Sequence, residues 1–343
     1  MTTTQSLMLT ETNESPAVVA ALLDREAAVF AEIARLFAAR RATVVTTAAR
    51  GSSDHAATFF KYLMEIRTGI PVASIGPSVA SVYEAPLRLD GGVHVTVSQS
   101  GASPDIVALQ AAARRGGAVA VAVVNVTDSP LAREADLVLA LHAGAERSVA
   151  ATKSFIATGA ALAATVAAVS GDDALRKGVH ALPKALAATA AVDSSGIADA
   201  LAEATSFYTA GRGPGYAIAL EAALKAKETA GIHAEAFSLA ELMHGPLRLV
   251  GAGFPVVAFV PDDAAFDHSR QALERLTALG AIARPLSTKA LPGSGGTVPT
   301  TGFGLIDPLV SIACYYRMIE AVARRRGFDP DRPANLSKVT STT

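Results

Sequence analysis

The sequence has no tryptophan and a single cysteine, Cys314, in 343 residues. One cysteine excludes an intrachain disulfide. It lies in the apolar run from Leu309 to Tyr315, where a small buried side chain is expected rather than a nucleophile. Aromatic residues are only 5% and charged residues 18%, and the formal net charge is -1. That balance lacks the basic face a nucleic-acid or acidic-membrane binder needs, so neither partner is expected. No basic segment followed by an apolar one opens the chain, so no signal peptide is expected. The Ala/Val-rich stretch 159–169 reads as a core helix, too short to span a bilayer. Together these features point to a cytoplasmic protein. No cluster of Cys and His carries metal-ligand spacing, and no metal or cofactor is expected.

Half of the residues are hydrophobic, dominated by Ala, Val and Leu, which suits helices packed on parallel strands. After a tail over residues 1–15, Ser15-Pro16 has the form of an N-cap and first turn, opening a helix to about Arg40. Short β-branched runs then alternate with helical stretches. Strands are expected at 43–47, 72–75, 93–97, 119–124 and 137–141, a βαβα pattern that implies a parallel sheet flanked by helices. Residues 172–203 read as a helical connector, after which the pattern restarts with strands at 206–209 and 254–259. The restart is a repeat: Ala49-Arg50-Gly51 corresponds to Gly211-Arg212-Gly213, and at the same offset Gly69-Ile70 corresponds to Gly231-Ile232. The expected architecture is α/β, two tandem units over 16–171 and 204–327, each a flavodoxin-like three-layer parallel sheet, with a C-terminal tail over 328–343.

Two strand-to-helix loops of the first unit carry hydroxyls and glycine: Gly51-Ser52-Ser53 and Ser98-Gln99-Ser100-Gly101-Ala102-Ser103. Both belong at the carboxyl edge of a parallel sheet, where ligands bind. Free N–H groups at helix N-termini favour an anion, and serine hydroxyls add hydrogen bonds without a charge to desolvate. A phosphate fits. The plainer reading is that the serines are turn formers and helix caps. Neither a Walker A loop nor a dinucleotide fingerprint is present; Gly211-Arg212-Gly213-Pro214-Gly215 is spaced wrongly for one.

In the helix that follows Gly215, Glu221, Leu224, Lys225 and Glu228 share one stripe at 100° per residue. His244 stands just before the Gly245-Pro246 break, on a loop edge. An aldose–ketose interconversion needs such groups, with a carboxylate to move a proton between C1 and C2 and an imidazole to open the ring. A lysine can hold a hydroxyl or form an imine. The alternative is an ordinary surface pair between Glu221 and Lys225, worth about 0.3–0.5 kcal/mol, with His244 an unremarkable loop residue.

Four segments carry a family resemblance: Arg50-Gly51-Ser52-Ser53, Ser98-Gln99-Ser100-Gly101, the stretch from Ala143 through Lys153, and Glu221 through Pro246. The tail from Asp331 to Thr340 adds a fifth. The chain resembles the sugar isomerase (SIS) superfamily over nearly its whole length. Within it, the chain resembles specifically the isomerase half of glucosamine-6-phosphate synthase, and also the stand-alone SIS-type glucosamine-6-phosphate deaminases. The resemblance implies that Ser52, Ser53, Ser98, Gln99, Ser100 and Ser103 hold the sugar phosphate, and that Val149 and Ala151 line the sugar through backbone groups. It makes Glu228 the proton shuttle, Lys225 its support and His244 the ring-opening group, contributed by a neighbouring subunit, so that a homodimer is implied. It also brings Lys338 from the tail to the sugar carbonyl. One departure stands out: residue 2 is Thr, and no glutaminase segment with an N-terminal cysteine precedes the first sugar-binding unit. Glutamine is therefore not expected to supply ammonia within this chain.

The resemblance implies a deaminase that converts glucosamine 6-phosphate and water to fructose 6-phosphate and ammonia. Galactosamine 6-phosphate or a fructosamine 6-phosphate are alternative substrates. A non-catalytic sugar-phosphate sensor is a further alternative, but such proteins often carry a DNA-binding helix-turn-helix, for which the N-terminal helix is too little.

Overall fold

The computed structural model describes residues 5–193, 195–293 and 297–338. The chain divides into two compact units, one of residues 17–145 and 154–180, the other of residues 5–16, 146–153 and 181–338.

In the first unit β1 (Val45–Ala48), β2 (Val72–Ser74), β3 (Val93–Ser98), β4 (Val119–Val124) and β5 (Leu137–Ala140) form a parallel sheet in the order β2-β1-β3-β4-β5. β1 and β3 are buried along almost their full length, as strands covered on both faces must be. The chain leaves β1 toward β2 and returns on its other side as β3. The strand order therefore reverses between β1 and β3, and the crevice beyond their carboxyl ends is where open α/β sheets bind ligands.

In the second unit β6 (Ser206–Gly211), β7 (His233–Ser238), β8 (Pro255–Val260) and β9 (Ile282–Ser287) are again all parallel, in the order β7-β6-β8-β9. This is the same winding as β2-β1-β3-β4. The backbone repeats in detail. Gly51 enters the Ser52–Thr68 helix at φ 54 and ψ -133, and Gly213 enters the Pro214–Ala230 helix at φ 57 and ψ -133. Both angles lie in a region L side chains rarely adopt, so glycine is required twice for one reason. The expected α/β fold of two tandem units is the observed one.

Several local expectations are corrected. The loose tail over 1–15 is a helix, Leu7–Arg25, with Pro16 inside it rather than at its start; residues 1–4 lie outside the described residues. Its N-terminus is capped from far away. The Asp331 carboxylate accepts the Leu7 and Met8 N–H groups, both at 2.7 Å, and Ser6 Oγ accepts that of Leu9 at 3.1 Å. The helix expected to continue to Arg40 breaks at Glu26 and resumes as Ala27–Arg40. Glu26 turns inward, one oxygen 2.6 Å from His142 Nε2 and the other accepting the Ala140 N–H at 3.4 Å. Strands β7 and β9 were not expected; both are edge strands, with mixed burial, and Pro285 sits within β9 where a missing donor is tolerated. The apolar helix is also longer than 159–169. It runs Lys153–Ser170 and is long and apolar enough to cross a membrane, but 78% of it is buried inside the protein. Cys314 is buried, and burial pushes its thiol up to about 12, as an inert core cysteine requires.

Candidate active site

The two hydroxyl-bearing loops leave adjacent strands at the reversal of the first sheet. Ser52 and Ser53 occupy the first turn of the Ser52–Thr68 helix, half-buried, with no side chain capping that turn. Ser98 ends β3, and Ser103 precedes the Pro104–Arg115 helix, also without a side-chain cap. Between them Ser98 Oγ accepts the Gly101 N–H at 3.1 Å and the Gln99 carbonyl accepts the Asn125 N–H at 3.1 Å, which fixes the loop's turn. Gly101, at φ 62, packs so closely on Ser129 that a Cβ there would lie 2.2 Å from the Ser129 hydroxyl. The result is two neighbouring helix N-termini whose N-cap residues contribute no side-chain bond, with serine hydroxyls beside them, an arrangement suited to an oxyanion. Ser52, Ser53, Ser98, Gln99, Ser100 and Ser103 are thus brought to one edge of one sheet.

The second unit carries a charged cluster. On the Pro214–Ala230 helix, Lys225 is 1% exposed, so the ordinary surface pair is ruled out. Its ammonium lies 3.4 Å from Glu221 Oε1 and donates a short hydrogen bond to Glu228 Oε2. Tyr316, from the Pro308–Arg325 helix, donates its hydroxyl to Glu221 Oε1 at 3.1 Å. Burial alone pushes the Lys225 ammonium down, but Glu221, Glu228 and, more weakly, Glu146 outweigh it and hold it above the ordinary lysine range. Burial, reinforced by Glu221, keeps the Tyr316 phenol far from ionising. A charge this deep is tolerated only because it is paired; removing one partner of such a pair costs about 3–5 kcal/mol. Glu221 and Lys225 are sealed, whereas the Glu228 side chain keeps 19% of its surface exposed. Glu228 is therefore the carboxylate of the cluster that an incoming molecule can reach.

The tail closes on the same unit. Lys338 Nζ donates to Glu146 Oε2 at 2.9 Å, and the other Glu146 oxygen accepts the Thr152 N–H at 3.0 Å. The Asp331 carbonyl accepts the Val149 N–H at 3.4 Å. From the N-terminal helix, the Glu11 carboxylate accepts the Arg147 and Ser148 N–H groups. Val149 and Ala151, both half-buried, thus sit on a loop pinned at several points. His244 stands apart: it is exposed, before the short turn Gly245–Leu249. Among the described residues, no hydrogen bond or ion pair joins its ring to the Glu221–Lys225–Glu228 cluster. Reading the sequence missed Glu146, Glu11 and Tyr316. Glu146 lay inside a motif already singled out; nothing local marks Tyr316 or Glu11, whose partners are 95 and 136 residues away.

The model of the SIS domain matches residues 10–168 and 200–288. The chain belongs to the SIS domain family. This SIS protein is 34% identical over 312 residues to the isomerizing glutamine–fructose-6-phosphate aminotransferase of Zymomonas mobilis, an alignment covering 86% of the chain and 51% of that enzyme. The Methanothermobacter thermautotrophicus enzyme of the same name is 34% identical over 96% of the chain and 56% of its own length. The chain therefore spans about half the length of the curated relatives it matches. Among solved structures, a candidate phosphosugar isomerase from Silicibacter pomeroyi superposes with a TM-score of 0.90 at 42% identity, over 95% of this chain and all of that one. The C-terminal domain of glucosamine-fructose-6-phosphate aminotransferase from Francisella tularensis superposes with a TM-score of 0.86 at 27% identity, over 96% and 99% of the two chains. Glucosamine-6-phosphate deaminase from Thermotoga maritima shares the fold, with a TM-score of 0.76 at 20% identity.

Proposed function

We propose that this SIS protein is an amino-sugar-phosphate deaminase that converts glucosamine 6-phosphate and water to fructose 6-phosphate and ammonia. The observation that carries the reading is the Lys225–Glu228 pair: a solvent-reachable carboxylate held by a fully buried ammonium. Glu228 takes the proton from C2 of the open-chain aldose and returns it to C1. The C1 aldehyde becomes an alcohol and the C2 amine a ketimine. Water then adds at C2 and ammonia leaves. Nothing is oxidised or reduced overall, and proton transfer by a positioned carboxylate contributes about 10²–10⁴-fold to such a step. The serines at the ends of β1 and β3 take the phosphate. Lys338 and the loop bearing Val149 and Ala151 attend the C1–C2 end of the sugar.

Ring opening falls to His244 from a second copy of the chain, a role that its exposed position supports. Mixing inactive His244→Asn with inactive Glu228→Gln protein tests this: a shared site regains part of the activity on exchange of subunits, and a self-contained site regains none. The deaminase reading is tested by ammonia release from glucosamine 6-phosphate, galactosamine 6-phosphate and fructosamine 6-phosphates, with fructose 6-phosphate measured alongside. Ammonia and fructose 6-phosphate in equal amounts from the first substrate are expected. A protein that binds glucosamine 6-phosphate yet releases no ammonia would sink the proposal.

A further inference from the structure

The phosphate loops contain charges that the serine-based reading leaves unused. Asp105 lies in the first turn of the Pro104–Arg115 helix, 1% exposed, and Asp54 in the first turn of the Ser52–Thr68 helix. A carboxylate in that turn competes with any anion for the same positive helix end and repels it. Asp105 already accepts its neighbour's N–H, that of Ile106, at 2.9 Å. The counter-charge comes from the other loop. Arg50, which precedes Gly51 after β1, donates from Nε at 2.7 Å and approaches with Nη2 at 2.6 Å, both on Asp105 Oδ2. Its side chain is 49% exposed, while that of Asp105 is wholly buried. The same guanidinium acts on Asp54, whose carboxyl burial holds above its ordinary range against the smaller opposing pull of His55 and Arg50.

We infer that Arg50 is a charge-setting residue of the phosphate cradle: by neutralising Asp105 it joins the two loops and leaves both helix N-termini able to accept a dianion. It acts through Asp105 and is not itself a phosphate ligand. The inference rests on the phosphate-loop reading above. A bare serine cradle would need no arginine at this position; a cradle with a buried aspartate in its wall does.

A double-mutant cycle on binding tests it, read by calorimetry with fructose 6-phosphate on full-length protein whose folding is checked by circular dichroism. Arg50→Gln is expected to weaken binding about tenfold or more, because it leaves a buried carboxylate uncompensated beside the ligand. Asp105→Asn alone is expected to bind at least as tightly as the wild type. Adding Asp105→Asn to Arg50→Gln is expected to restore binding to within about threefold, since the charge to be compensated is gone. Arg50→Lys keeps the charge and is expected to retain most of the affinity, which preserves the test should Arg50→Gln fold poorly. The loss in Arg50→Gln is also expected to be larger for the doubly charged 6-phosphate than for singly charged fructose 6-sulfate, a difference that mere loosening of the loops would not produce. A double variant as weak as Arg50→Gln would overturn the inference and make Arg50 a direct ligand. A wild type that binds no sugar phosphate would remove the phosphate-loop reading itself, whereas a wild type and Arg50→Gln that bind equally would overturn this inference alone.

Discussion

After β1 the chain turns through Gly51 into a helix, and after β6 it turns through Gly213 into another with nearly the same backbone angles. The first copy places its candidate groups at the turn itself: Ser52 and Ser53, with Ser98 to Ser103 on the neighbouring strand's loop. The second places them two to four turns further along, at Glu221, Lys225 and Glu228, where the helix is buried against Pro308–Arg325. One device thus offers two kinds of site. Its mouth presents a helix N-terminus, and its flank offers a dry place in which charges can be paired and held.

The sharpest way to break this division is to mutate both copies and separate binding from turnover. Glu228→Gln is expected to lower kcat about 10²–10⁴-fold with KM little changed. Ser100→Ala is expected to raise KM about tenfold with kcat retained, the size of a lost hydrogen bond to a charged group. Steady-state ammonia release with both variants decides the point; a Glu228→Gln effect confined to KM would end the assignment.

A second contrast lies in the sheets. Thr46 of β1 faces His94 of β3, and at the same register Tyr208 of β6 faces Val256 of β8. His94 is fully buried, its Nδ1 2.8 Å from the Thr46 hydroxyl, and burial lowers its pKa from 6.5 to about 4. The folded state therefore keeps His94 neutral through a range where the unfolded chain takes up a proton. Stability is expected to be unaffected by His94 above pH 6.5, to fall as pH drops from there toward 4, and to level off below, a total of about 3 kcal/mol. Denaturant unfolding across that range should show the slope in the wild type and lose it in His94→Gln; an unchanged slope would remove His94 as its source.

The smallest effect tests the repeat itself. Neither Gly51 nor Gly213 has an atom within 4 Å of where a Cβ would sit, so alanine at either meets conformational strain alone. Equal losses of about 1–3 kcal/mol are expected in the two variants. Unequal losses, by the same unfolding measurement, would show that the two turns are not energetically alike.

The central strands were legible because their buried positions are β-branched or small: β4 is Val and Ala throughout, and β3 alternates valine with His94, Thr96 and Ser98. The edge strands β7 and β9 were not, because exposure relaxes that demand and admits Glu235 and Pro285. The site divides similarly. The serine loops stood out because hydroxyls and glycine followed β-branched runs, and Lys225 and Glu228 because helical spacing placed them side by side. Lys338 meets Glu146 across 192 residues, and no local pattern can announce such a pairing. The N-terminal helix was misplaced for the same reason: its cap lies at Asp331.

That cap bears on how the protein comes into being. Leu7 leaves the ribosome 324 residues before the carboxylate that completes its helix. The unit built from 17–145 and 154–180 has all its strands in hand by then, and domains generally fold as units during synthesis. The other unit is made of three separated pieces, and the Leu7 and Met8 N–H groups lack this partner until the tail has been made. Translation order thus places the completion of that cap, and of the Lys338–Glu146 pair, last.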